Sequence, residues 1–218
     1  MGLKVPFFIL KGILIMDYTG TISQFYKKEI IQSSEIEKIL PLTYAGFSNL
    51  EQFVCSPNLK AIDELAFVNC KSLEEIQFNE KLEHIGKGAF GNCWSLKQLE
   101  LSGTKLKSFN TDIYTDNKAL FYGYGHIKNV TFPVTVESIE GMVTTAETSF
   151  EIPNPETVVK LDDYTQRKGI IIIAPVESKA HEYAVKNNLS YVELSNSSNP
   201  KTSTDKAYQD IIPKGGRK

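Results

Sequence analysis

LKAIDELAFVNCKSLEEIQFNEK, residues 59–81, runs directly into LEHIGKGAFGNCWSLKQLELSGT, residues 82–104. Aligned one above the other, and above the 23 residues that precede them (36–58), the rows agree in their apolar columns. Ile36, Leu59 and Leu82 share a column, as do Ile39, Ile62 and Ile85. Tyr44, Phe67 and Phe90 form an aromatic column, and Phe47, Cys70 and Cys93 the next. Leu50, Leu73 and Leu96 follow, then Phe53, Ile76 and Leu99, then Cys55, Phe78 and Leu101. One such row cannot bury its own apolar side chains. Stacked on copies of itself, each slot meets the same slot of the next coil and a continuous core forms. The columns therefore predict a solenoid with coils of about 23 residues.

Within each row, SLEEIQF places Leu73, Ile76 and Phe78 inward, and Glu75 and Gln77 outward, because strand side chains alternate faces. Ile30 extends the array upstream. Ile127, Val130 and Phe132, then Val136 and Ile139, resume it downstream, and a shorter coil follows around Phe150 and Ile152. The 30 residues from Leu106 to Val136 exceed one period by seven, so the insertion near 110–126 is read as a bulging loop. Terminal coils need covers. Residues 1–29, with two apolar runs flanking a turn at 17–20, predict a capping hairpin. Residues 30–169 hold the coils. Residues 170–194 predict a strand–helix–strand cap, with Ser178 as helix N-cap and Ala180, Tyr183 and Ala184 on one helix face. Residues 195–218 are polar and predict a disordered tail.

The pattern L-x-x-I-x-F is the strand signature of a leucine-rich repeat. More closely, AFVNCKSLEEIQF and IGKGAFGNCWSLKQLEL resemble the repeat of BspA-like leucine-rich-repeat proteins, and the C-terminal unit resembles that family's ending. The resemblance covers roughly residues 30–194 and implies an α/β, right-handed leucine-rich-repeat solenoid. It also implies a bacterial surface or secreted recognition protein, often linked to adhesion. Two departures bear on location. Lys11 interrupts the N-terminal apolar run with no small-x-small cleavage site after it, so that run reads as strand rather than secretion signal, and no wall anchor is recognised. An intracellular interaction scaffold with the same fold is the alternative.

Composition narrows the chemistry. A formal net charge of −2 gives no basic surface, so nucleic acid is not an expected partner. No apolar run reaches the ~18 residues of a membrane span. Gly86, Gly88 and Gly91 spell G-x-G-x-x-G, a dinucleotide fingerprint. The preceding coil fills those slots with Asp63, Leu65 and Val68, and the next coil begins within 15 residues, too soon for a crossover helix. The glycines are therefore read as turn residues of a repeat. Cys55, Cys70 and Cys93 read as buried apolar residues; stacking of Cys70 on Cys93 leaves a disulfide or metal pair conceivable, although no histidine or carboxylate shares their column. His84, His126 and His181 lie far apart along the chain beside no distinctive nucleophile. No catalytic, cofactor or metal residue is assigned.

Two features are candidates for binding a protein or glycan. The outward strand positions should form two rows, Gln52, Glu75 and Gln98 ending in Asn129, and Val54, Gln77 and Glu100 with Thr131. At a strand spacing of about 4.8 Å these are polar ladders; the competing reading is a solvated face. The insertion supplies Tyr114, Phe121, Tyr122 and Tyr124, as contact aromatics or as a cover for its own coil.

Overall fold

The computed structural model describes residues 28–110, 127–141, 148–161 and 169–195. The hairpin expected within residues 1–29, the 110–126 insertion and the tail therefore lie almost wholly outside the described residues. Along the described chain come β1 (Glu29–Ile31), β2 (Lys38–Ile39), β3 (Gln52–Val54), β4 (Ala61–Ile62), β5 (Glu75–Gln77), β6 (His84–Ile85) and β7 (Gln98–Glu100). Then follow β8 (Ser108–Asn110), β9 (Asn129–Thr131), β10 (Ser138–Glu140), β11 (Thr148–Glu151), β12 (Val158–Lys160), β13 (Ile170–Ala174), α1 (Lys179–Lys186) and β14 (Ser190–Glu193).

Each coil contributes two short strands, and the two series pair separately. One line contains β1–β3–β5 and, as a distinct sheet, β7–β9–β11–β13–β14. The other contains β2–β4–β6 and β8–β10–β12. Every pairing is parallel, as a coil that returns in the same direction requires. Register follows the period: Ile30 lies beside Phe53 and Phe53 beside Ile76, each 23 residues on. The coil carrying the insertion pairs Ser108 with Ser138, and the next shortens so that Val130 meets Phe150.

The middle residue of each three-residue strand points inward. Ile30, Phe53, Ile76, Leu99, Phe109, Val130, Ile139 and Val159 are all buried. The aromatic column stacks across coils, with Tyr44 on Phe67 at 5.1 Å and Phe67 on Phe90 at 5.5 Å between ring centroids. Phe53 meets Phe67 edge-on at 4.7 Å. Such pairs add about 0.5–1.5 kcal/mol each beyond the area they bury. Polar side chains repeat the period outside the core. Asn92 Nδ2 donates to Asn69 Oδ1 at 3.0 Å, and Asn79 Nδ2 donates to the carbonyls of Ser56 and Leu59 in the preceding turn. Lys28–Glu51 and Lys60–Glu37 are exposed ion pairs that link one coil to the next.

The C-terminal unit folds as its residues indicate. Ser178 Oγ accepts from the His181 N–H at 3.1 Å and starts α1. Ala180 and Ala184 bury its inner face, and the Tyr183 hydroxyl accepts from the Leu161 N–H at 3.1 Å.

The three glycines of the G-x-G-x-x-G stretch have different structural roles. Gly88 has φ +59°, and Leu42 and Leu65, the residues of that slot in earlier coils, have φ 60° and 57°. The slot is a left-handed turn in every row, whether or not it holds glycine. Gly86 is different: a Cβ there would lie 2.6 Å from the Asp63 carbonyl carbon and closer still to the Glu64 backbone nitrogen. This corrects the reading of Gly86 as an ordinary turn residue. It is glycine because its coil presses against the backbone of the one before, not because a phosphate approaches.

Candidate functional site

The outward side of the odd-numbered line of strands is the candidate surface. Gln52 lies beside Glu75 and Val54 beside Gln77 in one sheet. Gln98 lies beside Asn129 and Glu100 beside Thr131 in the other. Gln52, Glu75, Gln77, Gln98 and Glu100 are exposed; Val54, Asn129 and Thr131 are half-buried. Two features differ from the expected ladders. First, the rows do not end at Asn129 and Thr131. Ser149, Ile171 and Ser190 continue the first, and Glu151, Ile173 and Val192 the second. Their spacing departs from 23, which hid them from the alignment. Glu29 and Ile31 begin the rows at the other end. Second, β5 and β7 are not paired, so each row is interrupted between its second and third expected members.

The face is acidic. Glu29, Glu75, Glu100 and Glu151 project from it, while the row positions hold no lysine or arginine. Burial, and then the neighbouring Glu100 carboxylate, push Glu151 above the usual carboxylate range. The side chain of Ser149 donates to Asn129 Oδ1 at 2.7 Å, tying two row members together. Tyr114, Phe121, Tyr122 and Tyr124 lie outside the described residues.

The remaining chemistry-bearing groups are accounted for by packing. Cys70 Sγ donates to the Tyr44 carbonyl at 3.0 Å and Cys93 Sγ to the Phe67 carbonyl at 3.2 Å, one coil apart. Cys55, Cys70 and Cys93 are buried free thiols. Burial pushes the Cys55 thiol up to about 12 and holds Cys93 well above its ordinary value, with Cys70 adding to the rise. These thiols should therefore resist a thiol reagent at pH 8 in the folded protein and react on unfolding; fast native labelling would contradict the packing. Because the unfolded thiols ionise near 9.0 and the folded ones higher, the unfolded chain binds fewer protons above that point. Stability should accordingly fall as pH rises from about 9 toward 12. His181 Nδ1 accepts from the Glu177 N–H at 3.0 Å and its ring stacks on Tyr191, so it serves the C-terminal unit; His84 is exposed on β6. Among the described residues, no group of three or more His, Cys, Asp or Glu is placed to hold a metal ion. Among them too, no helix is long and apolar enough to cross a membrane.

Parallel coils with short strands, an apolar ladder inside and a polar face outside define a leucine-rich-repeat solenoid. Such proteins are interaction modules, because the stacked strands present an extended, preformed surface. The family model described as "BspA type Leucine rich repeat region" matches residues 23–167 in six copies, and the chain belongs to that family. Among solved structures, the pneumococcal vaccine antigen PcpA is similar with a TM-score of 0.55 and 17% identity, over 78% of this chain and 42% of that one. The leucine-rich-repeat protein TpLRR of T. pallidum aligns with a TM-score of 0.38 and 19% identity, over 57% of this chain and 73% of that one. The chain thus spans less than half the length of PcpA. No curated protein matches it.

Proposed function

We propose that the chain is a non-catalytic recognition module that binds a protein or glycan through the exposed face of its odd-numbered strands. The observation that carries this reading is the pair of outward rows in fixed register across β7–β9–β11, polar from Gln98 to Ser149 and from Glu100 to Glu151. A rigid face with regularly spaced donors and acceptors loses little entropy on binding. Family membership and the likeness to a pneumococcal antigen support an adhesin-like protein at the cell surface or secreted. Nucleic acid is not the partner on this reading, since the rows are acidic. Along the chain, residues 1–29 and 170–194 would close the two ends, 30–169 carry the coils, and 195–218 form a tail. The insertion aromatics Tyr114, Phe121, Tyr122 and Tyr124 would add contacts beside the face.

A protein and glycan array tests the reading with three forms of the full chain: wild type, Gln98→Ala/Thr131→Ala, and a form with the insertion aromatics replaced by serine. Ligands of the wild type should be lost or weakened about tenfold by the face variant. Binding unchanged in the face variant would remove the sheet from the site, and binding unchanged in the serine form would remove the insertion. Cell fractionation of the native protein decides location: strict cytosolic retention would defeat the adhesin reading in favour of an intracellular scaffold.

A further inference from the structure

The break between β5 and β7 is a bounded parting of two coils. At the level before it, the Cys55 N–H donates to the Gln77 carbonyl at 2.9 Å and the Glu75 N–H to the Glu51 carbonyl at 3.2 Å. One coil on, the same bonds would join Phe78 N–H to Glu100 O and Gln98 N–H to Glu74 O, and neither forms among the described residues. The coils are joined again on both sides of the gap, by Ser95 N–H to Lys71 O at 3.2 Å and Lys105 N–H to Leu82 O at 2.9 Å. The parting encloses a cleft of about 610 Å³, within the ~300–1,000 Å³ range typical of ligand sites. Phe78, flanked in its column by the buried Cys55 and Leu101, is only half-buried there.

The charge of the cleft is one-sided. Glu74, Glu75, Glu80 and Glu100 line it, and no lysine or arginine does. Elsewhere, lysines from adjacent coils neutralise carboxylates, as in Lys60–Glu37, Lys107–Glu137 and Lys160–Glu140. None of the four cleft glutamates is in an ion pair among the described residues. Lys97, which falls one period after Glu74, donates its ammonium to the Trp94 carbonyl instead. Two open strand edges and unneutralised carboxylates thus occur in the same place.

Resting on the recognition reading above, we infer that this cleft is the specific subsite of the face, and that its occupant is an extended segment of a partner protein bearing arginine or lysine. The open edges, with N–H and C=O groups directed into the gap, offer the hydrogen bonds by which an added extended chain is held. The carboxylates of Glu75 and Glu100 receive the cationic side chains through charge-assisted bonds. Glu75 Oε1 already accepts from Gln77 Nε2 at 3.0 Å and Glu100 Oε1 from the Ser102 N–H at 3.1 Å, which fixes both carboxylates and leaves an oxygen of each for the ligand.

Fluorescence anisotropy of a labelled short peptide alternating arginine and valine tests the inference on the full chain. The wild type should bind it, and the isosteric E75Q/E100Q variant should bind about tenfold more weakly at low salt. Glu83→Gln, an exposed glutamate outside the cleft, should leave affinity unchanged. Binding should protect the Phe78 and Gln98 amides from hydrogen exchange, a signature that attraction to acidic residues in general would not produce. The inference is overturned if the alternating glutamate–valine peptide binds as tightly, if E75Q/E100Q binds like the wild type, or if calcium alone produces the same amide protection. Should the peptide fail while array ligands remain sensitive to Gln98→Ala/Thr131→Ala, only the cleft is wrong. Loss of both results would reject the recognition face itself.

Discussion

Phe67→Ala should destabilise the protein by about 4 kcal/mol, in the range of large-to-small substitutions at a buried aromatic. Phe67 is fully buried, stacks between Tyr44 and Phe90, and receives Phe53 edge-on. Truncation removes apolar area and opens a void that three rings from three coils line together. Neighbouring coils are rigidly spaced by inter-coil hydrogen bonds, including Phe67 N–H to the Ala89 carbonyl at 2.7 Å, so the cavity cannot collapse easily. Because each coil of a solenoid contacts only its neighbours, the loss falls on one interface. Urea unfolding should therefore show an early transition and a broadened or divided curve rather than a uniform shift. Phe67→Leu, which keeps most of the volume, should lose less than about 1.5 kcal/mol. Gln77→Ala on the outer face should stay within about 0.5 kcal/mol. A Phe67→Ala loss below about 2 kcal/mol would mean that the aromatic column is not the central support of the stack.

The contrast between Phe67 and Gln77 was legible from the 23-residue alignment alone, because burial in a stacked coil depends on the slot and not on the neighbouring sequence. The same logic placed Ile30, Phe53 and Ile76 in one inward column, and the register of β1, β3 and β5 has them side by side. It failed wherever a property belongs to the relation between two coils. Leu101 matches Phe78 and Cys55 as an apolar residue, yet column identity says nothing about whether the backbones of Phe78 and Glu100 meet. The cleft was therefore invisible, although the glutamates that line it were in view. The second line of strands was also missed as strand. Lys38–Ile39 and Ala61–Ile62 are two residues long, too short to show an alternation. Ser149 and Glu151 were lost from the rows because the coil before them is shorter than the period, and an alignment of fixed width cannot follow it.

Gly86→Ala should lower stability by about 3 kcal/mol, the upper end of the usual cost of overpacking, because the atoms in its way are backbone and cannot rotate aside. The sign is informative. At an unstrained position glycine-to-alanine stabilises by about 0.4–1 kcal/mol, since it restricts the unfolded chain. The added methyl here would lie 2.6 Å from the Asp63 carbonyl carbon, in the coil that the Gly86 N–H already holds through the Ile62 carbonyl at 2.7 Å. Relief requires those two coils to separate, which lengthens that bond and loosens β4 from β6. Gly88→Leu provides the comparison. Its slot is left-handed, but Leu65 occupies it one coil earlier at φ 57°, so the cost should be only the backbone strain of about 1–2 kcal/mol. A dinucleotide loop would give a different result: both glycines would be needed for phosphate approach, and NAD or FAD would raise the melting temperature of the wild type but not of either variant. Here neither cofactor should shift the wild type, and Gly86→Ala should be the worse of the two substitutions. An alanine at 86 that proved neutral or stabilising would show that the coils are not in close contact there, and would return Gly86 to the ordinary turn residues.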